Sequence, residues 1–299
     1  MTLQIEQIVT TLETLTKDIC FSLVGDEPYI VIPWEVEEKG EFSWEKFLIA
    51  KKALTSYELN DFMAQMSLTQ SSEVIEHYQN LIVLLQANLS QLSFYGYSFP
   101  EIPEDLFGGE LPIPEDNLDP FGIPLIIGLT TAGEWIGLVP KQSYGFESAS
   151  RFIIPDSESI ADSTLQLISQ IESTLTQVKH QLKSRDWRIS NTWQIIISSE
   201  RHEVITKLLM KARFLSIIEI NEFFNYVEEE LEEYEEDEEL PADLQQAIAL
   251  RDYFQSQLLN AKVYNLDYVI SDESFTIHYI FGETKNGDWV GLVTDSYTF

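Results

Sequence analysis

The sequence predicts an α+β protein made of two tandem α-β-α sandwich domains, each with a mainly antiparallel sheet flanked by helices. The main observation is an internal repeat: residues 128–139 (GLTTAGEWIGLV) and 282–293 (GETKNGDWVGLV) align without a gap and share seven of twelve residues. Three further segments of the first half are similar to segments of the second half and follow in the same order. A duplicated unit determines the architecture without reference to the role of any single residue. Few of the expected strands are separated by helical crossovers, which favours antiparallel pairing.

Each half opens with an amphipathic helix. Apolar residues recur at spacings of three and four, which lays one apolar stripe along a helix. The stripes are Ile5, Ile8, Leu12, Leu15 and Ile19 in the first half, and Ile168, Ile171, Leu175, Val178 and Leu182 in the second. Neither stripe is long enough for an extended coiled coil, which sustains its heptads further.

A short strand, two further helices and a β-hairpin follow in each half. Residues 29–32 and 193–197 are rich in β-branched and aromatic side chains, which is typical of strands. Residues 46–63 then align without gaps to residues 207–224. The hairpins turn at Gly133 and at Gly287, because glycine tolerates the positive φ that such turns need.

These repeats predict domains at residues 1–150 and 160–299, joined by a linker within residues 140–163 that is rich in Ser, Asp and Pro. A length of 299 residues suits two domains of ordinary size. An interwoven core that shares strands across the middle would contradict two independent halves.

The net charge of −32 is the second informative total, and it is divided equally, with −16 in residues 1–155 and −16 in residues 156–299. Binding of nucleic acid needs a basic footprint, so the composition argues against it. A protein partner with a basic surface would be attracted instead.

One segment, residues 179–213, departs from this acidity with eight basic and three acidic residues. It is open whether it binds an anion, forms a solvated face, or contacts acidic residues of the same molecule.

Two segments are candidates for partner binding. Residues 228–239, here called the acidic stretch, hold ten carboxylates in twelve residues and read either as a decoy for a phosphate backbone or as a solubilising connector. Residues 97–124 form a loop with six prolines and interleaved aromatic and acidic residues. This Pro-rich loop reads equally as a stiffened binding arm or as a lid over its own sheet.

Catalytic and metal-binding patterns are lacking in the sequence. None of the four histidines stands at metal-ligand spacing from another, and there is no HExxH, CxxC, Walker A or G-x-S-x-G motif. The repeated glycines and Trp135 and Trp289 are interpreted as turn and core residues. The sequence therefore predicts a protein that is not an enzyme and needs no metal or other cofactor.

A cytoplasmic, soluble protein is expected. No apolar stretch of about eighteen residues is long enough to cross a membrane. The single cysteine, Cys20, cannot form an intrachain disulfide and is interpreted as a buried inert thiol.

The second half resembles the bacterial nuclease A inhibitor family, small acidic proteins that plug a sugar-non-specific endonuclease. The resemblance rests on four segments in order, and it covers most of residues 165–299: Glu219 to Phe224 (EINEFF), the acidic residues 234–238, Lys262 to Leu266 (KVYNL), and the Gly282 to Gly291 hairpin. It implies a three-layer α-β-α domain, a cytoplasmic location and a nuclease partner.

The resemblance also implies which residues enter the nuclease cleft. The acidic loop position corresponds to Glu232, which keeps its charge, and its aromatic neighbour to Glu233, which does not match. The acidic position before the Pro-aromatic strand corresponds to Val24 in the first half of the chain, which is another mismatch. The C-terminal hydroxyl residue corresponds to Phe299, with Thr298 one place early.

The sequence thus predicts an acidic protein-binding module that inhibits a nuclease by carboxylate mimicry of nucleic acid. The alternative is a regulatory or scaffolding protein with a non-nuclease partner. The residues expected at the partner surface are Glu229, Glu230, Glu232, Glu233, Glu235, Glu236, Asp237, Thr298 and Phe299.

Overall fold

The computed structural model describes residues 3–17, 20–21, 27–101, 122–142, 160–178, 189–232, 234, 239–270 and 273–298. The helices of these residues are α1 (Leu3–Leu15), α2 (Val36–Lys39), α3 (Trp44–Ala50), α4 (Leu59–Thr69), α5 (Ser72–Asn88), α6 (Asp162–Leu175), α7 (Arg201–Ala212), α8 (Ile220–Phe223), α9 (Asn225–Leu231) and α10 (Ala242–Gln257). The strands are β1 (Cys20–Phe21), β2 (Glu27–Pro28), β3 (Ile30–Trp34), β4 (Leu54–Tyr57), β5 (Leu89–Tyr97), β6 (Ile123–Thr130), β7 (Trp135–Gln142), β8 (Ile189–Ser198), β9 (Leu215–Glu219), β10 (Leu259–Ile270), β11 (Glu273–Glu283) and β12 (Trp289–Thr298).

Two five-stranded antiparallel sheets dominate the fold, and each takes one strand from the other half of the chain. The first sheet has the order β4-β5-β6-β7-β8, and the second has the order β3-β12-β11-β10-β9. Strand β8 of the second half therefore completes the sheet of the first half, and β3 of the first half completes the sheet of the second. The exchange is reciprocal, and the two sheets have the same order when each strand is replaced by its repeat counterpart.

The exchanged strands pair in the same register at both places. Gly137 of β7 lies opposite Ile196 of β8, and Gly291 of β12 lies opposite Ile32 of β3. A one-residue slip would turn every side chain of a strand to the other face of the sheet, so the common register keeps the same faces buried in both sheets.

The helices form three layers that alternate with the sheets. Helices α4, α5 and α6 pack on the outer face of the first sheet, and α1, α8, α9 and α10 pack on the outer face of the second. The largest core lies between the inner faces and includes α3 and α7. At its centre the stacked Tyr97 and Tyr268 rings join the two sheets, and the Tyr97 hydroxyl donates to the Tyr268 hydroxyl at 2.9 Å.

Both predicted hairpin turns are confirmed, and they have the same geometry. Gly133 and Gly287 have φ of 85° and 87°. In each turn the glycine N–H donates to the carbonyl three residues earlier, Gly133 to Thr130 at 3.1 Å and Gly287 to Thr284 at 3.0 Å. The backbone accepts positive φ because glycine has no Cβ.

The α+β class and the antiparallel sheets are therefore confirmed, whereas an arrangement as two self-contained tandem sandwiches is not. The repeat identifies the strands, but β7 and β12 are equally apolar candidate partners for β3, so the hydrophobic pattern does not select between them. The boundaries 1–150 and 160–299 remain a prediction about sequence units, and neither range contains a whole five-stranded sheet. Most of the expected linker, at 143–159, lies outside the described residues.

Candidate partner-binding site

The start of the acidic stretch is helical and is fixed to the core on one side. Helix α9 buries Val227 completely, and Phe224 just before the helix is 1% exposed. The partly buried Leu231 and Tyr234 pack against the same core. Because these apolar residues hold one side of α9 against α10 and α8, its carboxylates are directed away from the core.

Polar contacts of Asn225 and Arg251 add to this anchoring. The Asn225 amide donates to the Glu229 carboxylate at 2.8 Å, one helical turn away. Arg251 of α10 forms an ion pair with Glu228 and another with Asp252. The Arg251 side chain is 15% exposed, so its charge stands in a mostly covered position between two carboxylates. Like charges one turn apart weaken a helix, and these contacts offset part of that repulsion.

The structure describes three of the expected partner-binding glutamates. Glu229 and Glu232 are exposed, and Glu230 is half-buried. Glu233, Glu235, Glu236 and Asp237 lie outside the described residues, as do Phe299 and the mismatched Val24. The described part of the stretch thus offers carboxylates on a short, anchored helix rather than on a connector.

Thr298 lies at the end of β12, opposite Ser274 of β11. Among the described elements, α9 packs on α8 and α10, while β12 has β11, β3, β2 and α1 as neighbours. The structure therefore assigns Thr298 and the acidic helix to different elements of the same sheet-and-helix unit.

A polar cluster that the sequence analysis missed joins the two halves between the sheets. The Arg201 guanidinium donates to Glu45 Oε2 and to the Tyr95 hydroxyl, both at 2.7 Å, and the Tyr95 hydroxyl donates to Glu45 Oε1 at 2.7 Å. Burial, and then the hydrogen bond to Glu45, raise the pKa of Tyr95 to about 12. The phenol therefore keeps its proton at neutral pH and remains a donor.

The same guanidinium lies over the Trp135 ring, 5.7 Å from its centroid. We call this arrangement of Glu45, Tyr95, Trp135 and Arg201 the arginine site. Its members are 40 to 156 residues apart in the chain, so no local sequence motif predicts this site.

An open groove of about 350 Å³ lies between α3, α7 and the second sheet. Its walls include Phe42 and Trp44 at the start of α3, Thr206 and Lys207 on α7, and Tyr264 and Trp289 of the second sheet. Phe42 stacks on Trp289 with ring centroids 4.6 Å apart, and the ring centroids of Trp44 and Tyr264 are 4.2 Å apart. Trp135 is buried, as expected of a core residue, and the partly buried Trp289 packs against the same core and also lines this groove.

The described basic residues of segment 179–213 include two that pair within the molecule. Arg201 binds Glu45, and Lys207 binds Glu203 on its own helix. Their partners are single carboxylates outside the acidic stretch. Residues 179–188, which hold the other half of the basic set, lie outside the described residues.

Glu200, His202 and Glu203 are the one group in the described residues whose His and carboxylate atoms lie close enough to hold a metal, within 4.8 Å of one another. The Glu203 carboxylate already accepts from Ser198 and Lys207, and these hydrogen bonds lower its pKa. Glu200 and His202 are exposed. The group is thus explained by an ordinary surface ion-pair cluster.

His278 of β11 is buried, and both of its ring nitrogens have polar neighbours. Its Nδ1 is 2.8 Å from Asn265 Oδ1, and its Nε2 is 2.8 Å from Ser296 Oγ. Burial lowers its pKa to about 4, so the imidazole is neutral at physiological pH.

In the described part of the chain, no helix is both long and apolar enough to cross a membrane. No curated protein matches the chain. The family model of nuclease A inhibitor-like proteins matches residues 188–297 in one copy. The matched segment runs from β8, which lies in the first sheet, through α9 to β12 in the second sheet. Slightly more than a third of the chain is therefore similar to nuclease A inhibitor-like proteins, and that third contains the acidic helix.

Proposed function

We propose that this chain is a non-enzymatic inhibitor-like protein whose acidic surface binds a basic protein partner, with a nuclease as the partner class. The family match over residues 188–297 carries the proposal. Residues 1–150 are proposed to be a diverged second copy of the same module, which is supported by the repeated hairpin and the reciprocal strand order. A cytoplasmic location is part of this proposal.

Carboxylate mimicry is the proposed mechanism. Nuclease clefts are basic because they bind the phosphate backbone, and carboxylates on an anchored helix offer negative charge at little ordering cost. Glu229, Glu230 and Glu232 are the described residues proposed to make this contact. Glu233, Glu235, Glu236, Asp237, Thr298 and Phe299 are proposed to extend it.

Direct inhibition of a sugar-non-specific bacterial endonuclease tests the proposal. DNA cleavage is followed while the full-length protein is titrated against the enzyme, and we expect inhibition that saturates near one protein per nuclease. The triple variant Glu229→Gln, Glu230→Gln and Glu232→Gln should raise the inhibition constant by about tenfold or more, because it removes three charges from one patch.

The matched control is Glu58→Gln, Glu73→Gln and Glu76→Gln, which makes the same charge change at exposed sites beside the first sheet. Equal effects of the two triple variants would reduce the interaction to net charge and contradict a binding site on α9. Absence of inhibition by the wild type at micromolar concentration would overturn the nuclease as partner.

The alternative is an interaction protein that binds a non-nuclease partner through the Pro-rich loop. Its described ends are well fixed: Phe99 packs on Tyr268, and Gly96 pairs with Pro124. A clean test deletes residues 102–119 and keeps both ends, because the fixed residues belong to the sheet and the core. Partner binding that survives this deletion excludes the loop.

A further inference from the structure

The arginine site and the open groove occupy equivalent positions in the two halves. Tyr95 pairs with Ser56 of β4, and Tyr264 pairs with Ile217 of β9, at matching places in the two sheets. Trp135 and Trp289 are the matching tryptophans of the repeated hairpin. The two tyrosines and the two tryptophans therefore mark equivalent locations on the first and the second sheet.

The two locations differ in the residues that fill them. Extending the ungapped alignment of residues 46–63 with 207–224 by one residue pairs Glu45 with Thr206. The open groove thus has aromatic counterparts of Tyr95 and Trp135, but its lining residues include no arginine, and Thr206 stands where the arginine site has Glu45. Phe42 covers part of Trp289, where Arg201 covers Trp135.

Charge and shape at the groove suit a long cationic side chain. The rings of Phe42, Trp44, Tyr264 and Trp289 offer apolar surface for an aliphatic stem and π faces for a planar cation. Lys207 lines the groove, but its ammonium is paired with Glu203, so the pair adds no net charge there. The net charge of −32 attracts cations to the whole surface.

We propose that the open groove binds an arginine side chain of a protein partner, in the manner in which the arginine site holds Arg201. The partner's guanidinium would stack on the aromatic wall near Trp289 and approach Tyr264 and Glu203. Arginine fits better than lysine, since a planar, weakly hydrated guanidinium stacks on aromatic faces while a compact ammonium stays hydrated. The identification of a protein partner as the source of this arginine rests on the proposed function. Recognition of the arginine side chain by the groove does not depend on that function.

Titration with a small probe tests the groove without any partner, so its failure is distinct from failure of nuclease binding. The probe is N-acetyl-L-arginine amide, and the readout is the indole N–H signal of Trp289 in ¹H–¹⁵N NMR spectra, assigned by its loss in Trp289→Phe. We expect a saturable shift at millimolar probe. The neutral isostere N-acetyl-L-citrulline amide should bind at least about fivefold more weakly, since it lacks the charge. No shift, or equal binding of both probes, would overturn the proposal.

A gain-of-function variant sharpens the test. Thr206→Glu places a carboxylate where the arginine site has Glu45, so it should tighten binding of the arginine probe by about tenfold, the usual worth of a charge-assisted hydrogen bond. Ser173→Glu on the exposed surface of α6 adds the same charge far from the groove and should leave affinity unchanged. Equal gains in both variants would show general electrostatic attraction and contradict a defined site.

Discussion

The two sheets show how one scaffold can carry a structural contact beside one sheet and an open surface beside the other. At the arginine site, on the first sheet, Arg201, Glu45 and Tyr95 form a hydrogen-bond cluster with 2.7 Å distances between the two sheets. At the open groove, on the second sheet, Thr206 stands in the place of Glu45, and about 350 Å³ stays open.

From this difference we infer that the two halves share their turn and strand backbone geometry more closely than their side-chain contacts. The turn glycines and the exchanged-strand register agree in both halves. Glu45 of the arginine site is matched by the uncharged Thr206 at the open groove. The arginine site joins the two halves of the chain, whereas the open groove is proposed to bind a partner's side chain.

Arg201→Met is the most direct way to disrupt the arginine site. Removing the guanidinium leaves Glu45, whose side chain is 11% exposed, without its ion-pair partner, and also removes a donor to Tyr95. We expect a loss of about 3 kcal/mol in the free energy of unfolding, measured by urea denaturation. Lys207→Met, which breaks the exposed Lys207–Glu203 pair at the open groove, should lower the free energy of unfolding by less than about 1 kcal/mol. Equal losses in the two variants would mean that the arginine site and the open groove do not differ in structural role.

Acidification distinguishes the two sheets through His278, which has no histidine counterpart in the first sheet. Its folded pKa of about 4 lies below the unfolded value of 6.5, so the unfolded state binds the proton first as the pH falls. The stability is fully present above pH 6.5 and is lost towards pH 4.

At pH 5.5 this linkage amounts to about 1.5 kcal/mol relative to pH 8. The measurement compares the pH dependence of unfolding in the wild type and in His278→Gln, so that effects of the many carboxylates cancel. Parallel pH profiles for the two proteins would contradict the assignment.

The repeated turns provide the smallest and most symmetrical test. An added Cβ at Gly133 or Gly287 meets no atom within 4 Å, so only the positive φ opposes a side chain. Gly133→Ala and Gly287→Ala should each lower the free energy of unfolding by about 1 kcal/mol. Thermal or urea unfolding of the two variants should agree within about 0.5 kcal/mol. A clearly larger loss at one turn would show that the hairpins are not equivalent.

Local features were predictable from the sequence because their causes are local. The hairpins follow from glycines at positions that need positive φ, and the helices from apolar spacing. The acidic stretch was visible as a charge run, but its helical start depends on Val227 and Phe224 packing in the core. Periodicity alone does not show which side of so charged a segment is anchored.

The strand exchange and the arginine site were not predictable, because both depend on contacts between distant residues. Strand β3 is equally suited to β7 and β12 by its apolar pattern, and Arg201 finds Glu45 across 156 residues. One sequence signal was present: Glu45 and Thr206, which directly precede the aligned segments 46–63 and 207–224, differ in charge. Positions beside a repeat match where the two halves of the chain differ in charge therefore mark places to look for new contacts.

The salt dependence of the complex with a sugar-non-specific endonuclease tests the central claim most directly. If carboxylates of the acidic helix make the contact, raising the salt from 0.05 M to 0.5 M should weaken binding by about a hundredfold or more, because the Debye length falls to about 4 Å. The Glu229→Gln, Glu230→Gln and Glu232→Gln variant should show a shallower dependence. A dissociation constant that does not change with salt would contradict binding by carboxylate mimicry.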